Sequence, residues 1–341
     1  MRRLAVLLVL AVLLLIGAAG VAGFTMWERI HAAHKGYEAV EQFIDIPPGT
    51  GTAAIGRRLT EAGIVRDEVT YRAALWWSGR SRALQAGEYR FDRPLAAVDV
   101  VDRLARGDVY ARRITFPEGL TIQEMARVYE ARAFGTAASF VEAAGDASLI
   151  HDLDPAATDL EGYLFPDTYG LPRGTPARRL VALMVDRFRA TYDDGLRRQA
   201  RDQDLTTRQV VALASLVEKE TGRADERPLV AAVYRNRLQL GMGLQADPTV
   251  VYALQKAGRY NGNIRREDLA VDSPYNTYRS AGLPPGPIAA PGKASIESAL
   301  LPARVSYLYF VSRNDGSHAF ATTLAEHNRN VRQFQILYFR R

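Results

Sequence analysis

The sequence predicts an α+β protein: an N-terminal transmembrane helix, a small β-α-α-β module, and then a mixed, helix-rich α+β domain. Three observations carry this expectation. Leu4–Phe24 is a run of 21 residues without a charge; a strand, Pro-x-Gly turn and helix pattern occurs twice at an offset of about 70 residues; and from Thr206 the texture changes to longer helices and Pro/Gly-rich loops. The 341 residues are 48% hydrophobic and 24% charged, values that exclude disordered, collagenous and coiled-coil chains. The absence of cysteine removes disulfide frameworks, thiolate metal sites and any cysteine nucleophile. The net charge of +6 comes with only four lysines among 44 basic residues. Biased genome composition explains that arginine excess; attraction to an acidic polymer or a membrane surface is the other reading.

At about 1.5 Å per residue the uncharged run is long enough to cross a bilayer. Arg2 and Arg3 precede it, so the N-terminus is expected to stay in the cytoplasm and the chain beyond Trp27 to be exported. A cleavable signal peptide is the alternative, with Gly20-Val21-Ala22 as its small-residue site. The run continues to Phe24, which favours a retained single-pass anchor. Residues 1–27 are therefore read as tip and anchor and 28–42 as a linker.

Beyond it, Phe43–Ile46 leads through Pro47-Pro48-Gly49 into a helix, and Ile114–Phe116 leads through Pro117-Glu118-Gly119 into another. Each is followed by a second short helix, Val69–Trp77 or Ala137–Ala144, and then by a related strand, Gly87–Phe91 or Gly162–Phe165. The expected units are 43–110 and 111–190, packed as one compact module, followed by a domain over 191–341. In that domain Thr206 or Thr207 caps a helix to Thr221, and Pro228 opens a second to about Leu240. Polar loops follow Tyr252. A short helix at Ser295–Leu301, a strand at Tyr307–Val311 and a last helix from Thr323 to Tyr338 complete the pattern.

On the first of these helices Val211, Ala214, Ser215 and Glu218 share a face, whereas Glu220 points about 200° away from Glu218. A carboxylate extending an apolar stripe loses hydration, which raises its pKa and suits a general acid; an exposed last-turn glutamate beside Lys219 is the plain alternative. Asn236, Gln245, Asp247, Thr249, Tyr275 and Asn276 supply amides, hydroxyls and flat rings of the kind that bind sugars, while Glu161 and Asp167 depart from the repeat that contains them. The five histidines show no metal-ligand spacing, and no Gly-x-Ser-x-Gly elbow occurs, so neither a metal nor a serine triad is expected.

Six ordered motifs then become familiar: Leu160–Tyr169, Ala214–Thr221, Asn236-Arg237-Leu238, Leu244–Val250, Tyr275–Tyr278 and Gly282–Ile288, with Tyr307–Val311 and His318–Phe320 beyond them. Over essentially the whole chain they resemble the YceG-like family of endolytic murein transglycosylases. The resemblance implies a lytic transglycosylase that cuts the MurNAc-β-1,4-GlcNAc bond of peptidoglycan without hydrolysis, leaving a 1,6-anhydro end. It implies Glu218 as the single catalytic acid/base, with Glu220 as the fallback. Gln245, Asp247, Thr249, Tyr275, Asn276, Glu161, Asp167, Ser215 and Asn236 are the expected substrate-side residues. It also implies a LysM-like module ahead of the catalytic domain, a peptidoglycan synthase as partner, contact with inner-membrane lipid, and no nucleic acid. Some family members have been described as aminodeoxychorismate lyase-like, a pyridoxal-phosphate chemistry; no cofactor is expected here. A non-catalytic cell-wall-binding scaffold is the alternative function. Glu218→Gln, which removes charge and little volume, is expected to leave the fold intact.

Overall fold

The apolar run continues as one helix past its uncharged core. α1 spans Arg2–His31, and Leu7–His31 is long and apolar enough to cross a membrane. The structure, a computed structural model, describes residues 2–338, with side chains from residue 7 on. The side chains of Arg2 and Arg3, on which the expected orientation depends, lie outside that range.

Then come β1 (Gln42–Ile46), α2 (Thr52–Glu61), α3 (Glu68–Ser78), β2 (Gly87–Phe91) and α4 (Ala97–Arg106). The sequence reading names no helix at α4, although Val100, Val101 and Leu104 make a clear apolar stripe on it. β1 and β2 pair antiparallel from Gln42↔Phe91 to Ile46↔Gly87. Alternation turns Ile44, Ile46, Tyr89 and Phe91 inward onto Leu59, Tyr71, Val100 and Leu104. Ile30, near the end of α1, joins this core at 2% exposure. The stretch 28–42 is thus no free linker: its first turn is helical, His34 bridges to Leu95, and the Gly36 N–H donates to Gly63 O at 2.8 Å.

The chain goes on through β3 (Ala111–Thr115), α5 (Ile122–Ala131), α6 (Ala137–Ala144), β4 (Thr168–Pro172), α7 (Ala177–Thr191) and α8 (Asp194–Arg201). The second copy closes on Thr168–Pro172, not on the expected strand Gly162–Phe165. Gly162 has φ +81°, and a Cβ there would meet Pro287 at 2.3 Å, so the chain turns at that point to seat a proline loop. The two copies do not form one module. Contacts group residues up to Arg112 with Gly170–Arg173 in one unit, and Arg113–Tyr169 with the chain from Gly174 in the other, with no division near residue 190.

The second unit is completed by α9 (Thr207–Glu220), α10 (Arg227–Gln239), α11 (Asp247–Lys256), α12 (Lys293–Leu300), β5 (Tyr309–Ser312), β6 (His318–Ala321) and α13 (Leu324–Val331). α11 opens at Asp247-Pro248, because proline is at home in the first helical turn, where its missing N–H costs nothing. β5 pairs antiparallel with β6, and the last helix leaves regular α geometry at Arg332–Leu337, which is π-helical. α9 packs against α8, α10, α11 and α12, and every residue of Val210–Val217 is buried.

Candidate active site

α9 starts from a capping box in which the Thr206 hydroxyl accepts the Gln209 N–H at 3.2 Å and the Gln209 side chain accepts the Thr206 N–H at 2.9 Å. Eight consecutive buried residues follow, so the helix is covered on all sides rather than along one stripe. Facing therefore does not single out Glu218. Two glutamates leave the core in the last turn, in opposite directions, and what surrounds each decides its chemistry.

Glu218 enters a structural hub. Its side chain is 6% exposed and lies 3.3 Å from the Arg227 guanidinium, itself 11% exposed. Oε2 accepts the Gly292 N–H at 3.0 Å and the Ser295 hydroxyl at 2.7 Å. Gly292 and Ser295 are the N-cap and third residue of α12, so Glu218 caps that helix from a neighbouring one. Glu118, from the Pro-x-Gly turn before α5, lies 3.6 Å from the same guanidinium. Burial and the Glu218 charge raise the Glu118 pKa against the pull of Arg227. A Cβ at Gly292 would meet the Glu118 carboxylate at 1.8 Å, which ties the glycine to this close approach.

Glu220 faces a polar-aromatic cleft of about 430 Å³ shared with Gln245, Asp247, Tyr278 and His318. The Tyr234 hydroxyl donates to its Oε1 at 2.6 Å. Desolvation is the main force that pushes Glu220 up to about 7, with the Asp247 charge adding to it and the Tyr234 bond and Arg237 opposing. Asp247, in the first turn of α11, accepts the Tyr278 hydroxyl at 2.6 Å. Gln245 holds φ +50°, a left-handed conformation that costs a non-glycine residue on the order of 1 kcal/mol. His318 presents its backbone N–H and Nδ1 to the buried Glu226 carboxylate at 2.9 and 2.6 Å, which fixes the ring at the cleft wall.

The structure divides the other expected residues. Gln245 and Asp247 join Glu220. Ser215 is fully buried and accepts the Ile288 N–H at 3.1 Å, anchoring the proline loop. Thr249 is fully buried and bonded to Thr277 at 3.0 Å. Asn276, equally buried, donates to Leu269 O and Val271 O at 3.0 and 2.8 Å, and Asn236 donates to Val305 O and Tyr307 O, both at 2.9 Å. These four shape loops instead of lining the cleft. Asp167 pairs with Arg187 at 2.8 Å beside β4.

Glu161 and Tyr275 stand elsewhere. Glu161 lines a second cavity, of about 690 Å³, where its carboxylate receives the Ile122 N–H at 3.1 Å and the Tyr252 hydroxyl at 3.3 Å. Tyr275 packs against Tyr252, with ring centroids 4.8 Å apart. Burial above all, then the Asp159 charge, pushes Glu161 up to about 8. Its folded-state pKa lies above the ordinary 4.5, so the native state holds an extra proton between those limits and stability falls as pH rises through them, by no more than about 5 kcal/mol. Glu161→Gln keeps the shape and removes this titration. Its melting temperature is expected to change less than the parent's between about pH 5 and pH 8; parallel curves would show that Glu161 is not the source.

Sequence reasoning missed Glu118, Tyr234, Glu226, Tyr278 and His318. Two left signals. Tyr278 closes the motif Tyr275–Tyr278, and His318-Ala319-Phe320 lies in a short strand with His318 and Phe320 on one face.

A helix buried over Val210–Val217 that ends in two divergent glutamates, one of them facing a polar-aromatic cleft, defines a helix-cored α+β domain with a helix-borne acid. The YceG-like family model matches residues 44–333, and the chain belongs to that family. It is 31% identical over 333 residues to the endolytic murein transglycosylase of Bacillus subtilis, covering 93% of this chain and 90% of that one. It is 29% identical to the endolytic murein transglycosylase of Streptococcus pneumoniae, over 84% of this chain and 57% of that longer protein. The crystal structure of a yceG-like protein from Listeria monocytogenes superposes with a TM-score of 0.59 at 30% identity, covering 85% of this chain and 98% of that one.

Proposed function

We propose that this chain is a peptidoglycan lytic transglycosylase that cuts glycan strands internally, with Glu220 as its acid/base. Relatives of that activity at about 30% identity support the reaction class. One observation carries the residue: of the two glutamates, Glu220 faces the cleft that holds Gln245 and Asp247, while Glu218 is spent on Arg227 and the cap of α12. Protonated Glu220 gives its proton to the glycosidic oxygen as the bond to the muramyl C1 breaks. The resulting carboxylate takes the proton of the C6 hydroxyl while that oxygen bonds to C1, which closes the 1,6-anhydro ring. One carboxylate serves both steps, so no second acid or base of the ordinary glycosidase kind is required. Burial, with the Asp247 charge adding to it, raises Glu220 to about 7 so that it can hold a proton near neutrality, and Tyr234 fixes one of its oxygens.

The reading includes α1 as a single-pass anchor in the inner membrane with the enzyme on the outer side, trimming nascent strands beside a peptidoglycan synthase. The β1-α2-α3-β2 part serves as a LysM-like glycan-binding module. The positive-inside charge and the strand–helix–helix–strand order support these points.

Mass spectrometry of purified glycan incubated with the protein tests the reaction. Anhydromuramyl ends support it; ends bearing added water indicate a muramidase; uncut glycan that co-sediments with the protein indicates the scaffold alternative. Because the acid works in its protonated form, kcat/KM is expected to fall as pH rises through about 7. Asp247→Asn removes a charge that raises Glu220, so the falling limb should move to lower pH. A limb that stays put would detach Asp247 from the acid.

A further inference from the structure

The chain has three tryptophans, Trp27, Trp76 and Trp77, and all three lie in the first unit on two helices that pack together, α1 and α3. Trp27 packs at a tilt of 34° against His31 with centroids 4.6 Å apart, and His31 meets the Trp77 ring edge-on at 6.0 Å. A Trp–His–Trp ladder therefore joins the end of the apolar helix to the C-terminal turn of α3. Ile30 locks the joint from the other side, buried at 2% exposure in the core that also holds Tyr71 and Ala74 of α3. Yet Trp76 is 82% exposed and Trp77 55%. Along the outer face of α3, Val69, Arg72 and Trp76 follow one another at i, i+3 and i+7, a mixture of apolar, basic and aromatic groups that suits a helix lying in a membrane interface.

We infer that Trp76 and Trp77 form a membrane seat: they enter the headgroup layer of the same bilayer that α1 crosses, laying the first unit against the lipid surface. The inference rests on the reading of Leu7–His31 as a membrane span. Tryptophan favours this layer because its ring is apolar and its N–H still finds a polar partner there. Lipid is the occupant that the geometry supplies, since the pair is continuous with the exit of the span through His31. Two adjacent indoles left in water form the kind of apolar patch that soluble surfaces avoid.

No tryptophan exists elsewhere in the chain, so tryptophan emission, excited beyond the tyrosine absorption band, reads this end alone. The full-length protein is reconstituted into phosphatidylcholine–phosphatidylglycerol vesicles whose acyl chains carry bromine either near the headgroups or deep in the bilayer. In Trp27→Phe, the remaining pair is expected to emit to the blue, to lose more emission to shallow than to deep bromine, and to resist aqueous acrylamide. Acrylamide quenching without bromine quenching overturns the seat. Shielding from both quenchers overturns it too, because the indoles are then covered by protein. The doubly substituted Trp76→Phe/Trp77→Phe leaves Trp27 to report on the span. Bromine quenching of Trp27 without quenching of the pair rejects the seat and leaves the anchor standing; no quenching of Trp27 rejects the anchor and the seat with it.

Discussion

Glu220→Gln is expected to lower the formation of anhydromuramyl ends by roughly 100- to 10,000-fold, the contribution of a positioned general acid, while the protein stays folded. Glutamine keeps the volume and can still accept from the Tyr234 hydroxyl, which donates to Glu220 Oε1 at 2.6 Å. It cannot deliver a proton. The charge it removes is also one that the site disfavours, because burial and Asp247 both push Glu220 up. The melting temperature at neutral pH should therefore hold or rise. Glu218→Gln is expected to show the opposite pairing: cleavage within about tenfold of the parent once the remaining folded fraction is counted, with a clear loss of stability. If Glu218→Gln abolishes cleavage at unchanged stability and Glu220→Gln does not, the two roles are exchanged and the acid is Glu218. The same digests separate enzyme from scaffold, since a scaffold yields no new ends from any of the three proteins.

How far the sequence reaches depends on which kind of information a feature needs. α9 was legible to within a residue because its signals are local: a threonine three positions before a glutamine, an apolar run, and a polar end. The apolar N-terminal helix was legible for the same reason. Choosing between Glu218 and Glu220 was not, because a helix buried on every side has no apolar face that distinguishes one exit from the other. The proposed choice rests on residues 292–295 on one side and 245–247 on the other, which the chain brings in from far along its length. The polar residues inside the motifs depend on the same distant information. Ser215, Asn236, Thr249 and Asn276 have the chemistry of a sugar site, yet each satisfies backbone or hydroxyl groups in tight loops, as buried polar side chains must. The strand expected at Gly162–Phe165 failed on one glycine: a positive φ and contact with Pro287 are tertiary demands that strand propensity does not register.

Truncating Glu218 to alanine is expected to cost about 3–5 kcal/mol, the usual penalty for leaving a buried charge without its partner. Arg227 is 11% exposed, and its other acidic neighbour, Glu118, is 46% exposed and more distant, at 3.6 Å against 3.3 Å. Loss of Glu218 also strips α12 of the carboxylate that receives its Gly292 N–H and Ser295 hydroxyl, so the cap fails along with the ion pair. This reverses the expectation that Glu218→Gln is innocuous: the amide keeps one acceptor but turns N–H groups toward a guanidinium that can only donate, at a cost of about 1–3 kcal/mol. Chemical denaturation of Glu218→Ala, Arg227→Met and the double variant decides the point. A buried pair exchanged as a unit for apolar groups loses much less than the sum of its halves, so the double variant should recover a large part of the loss. Additive losses would mean that Glu218 and Arg227 act independently, and the hub would then reduce to the cap of α12.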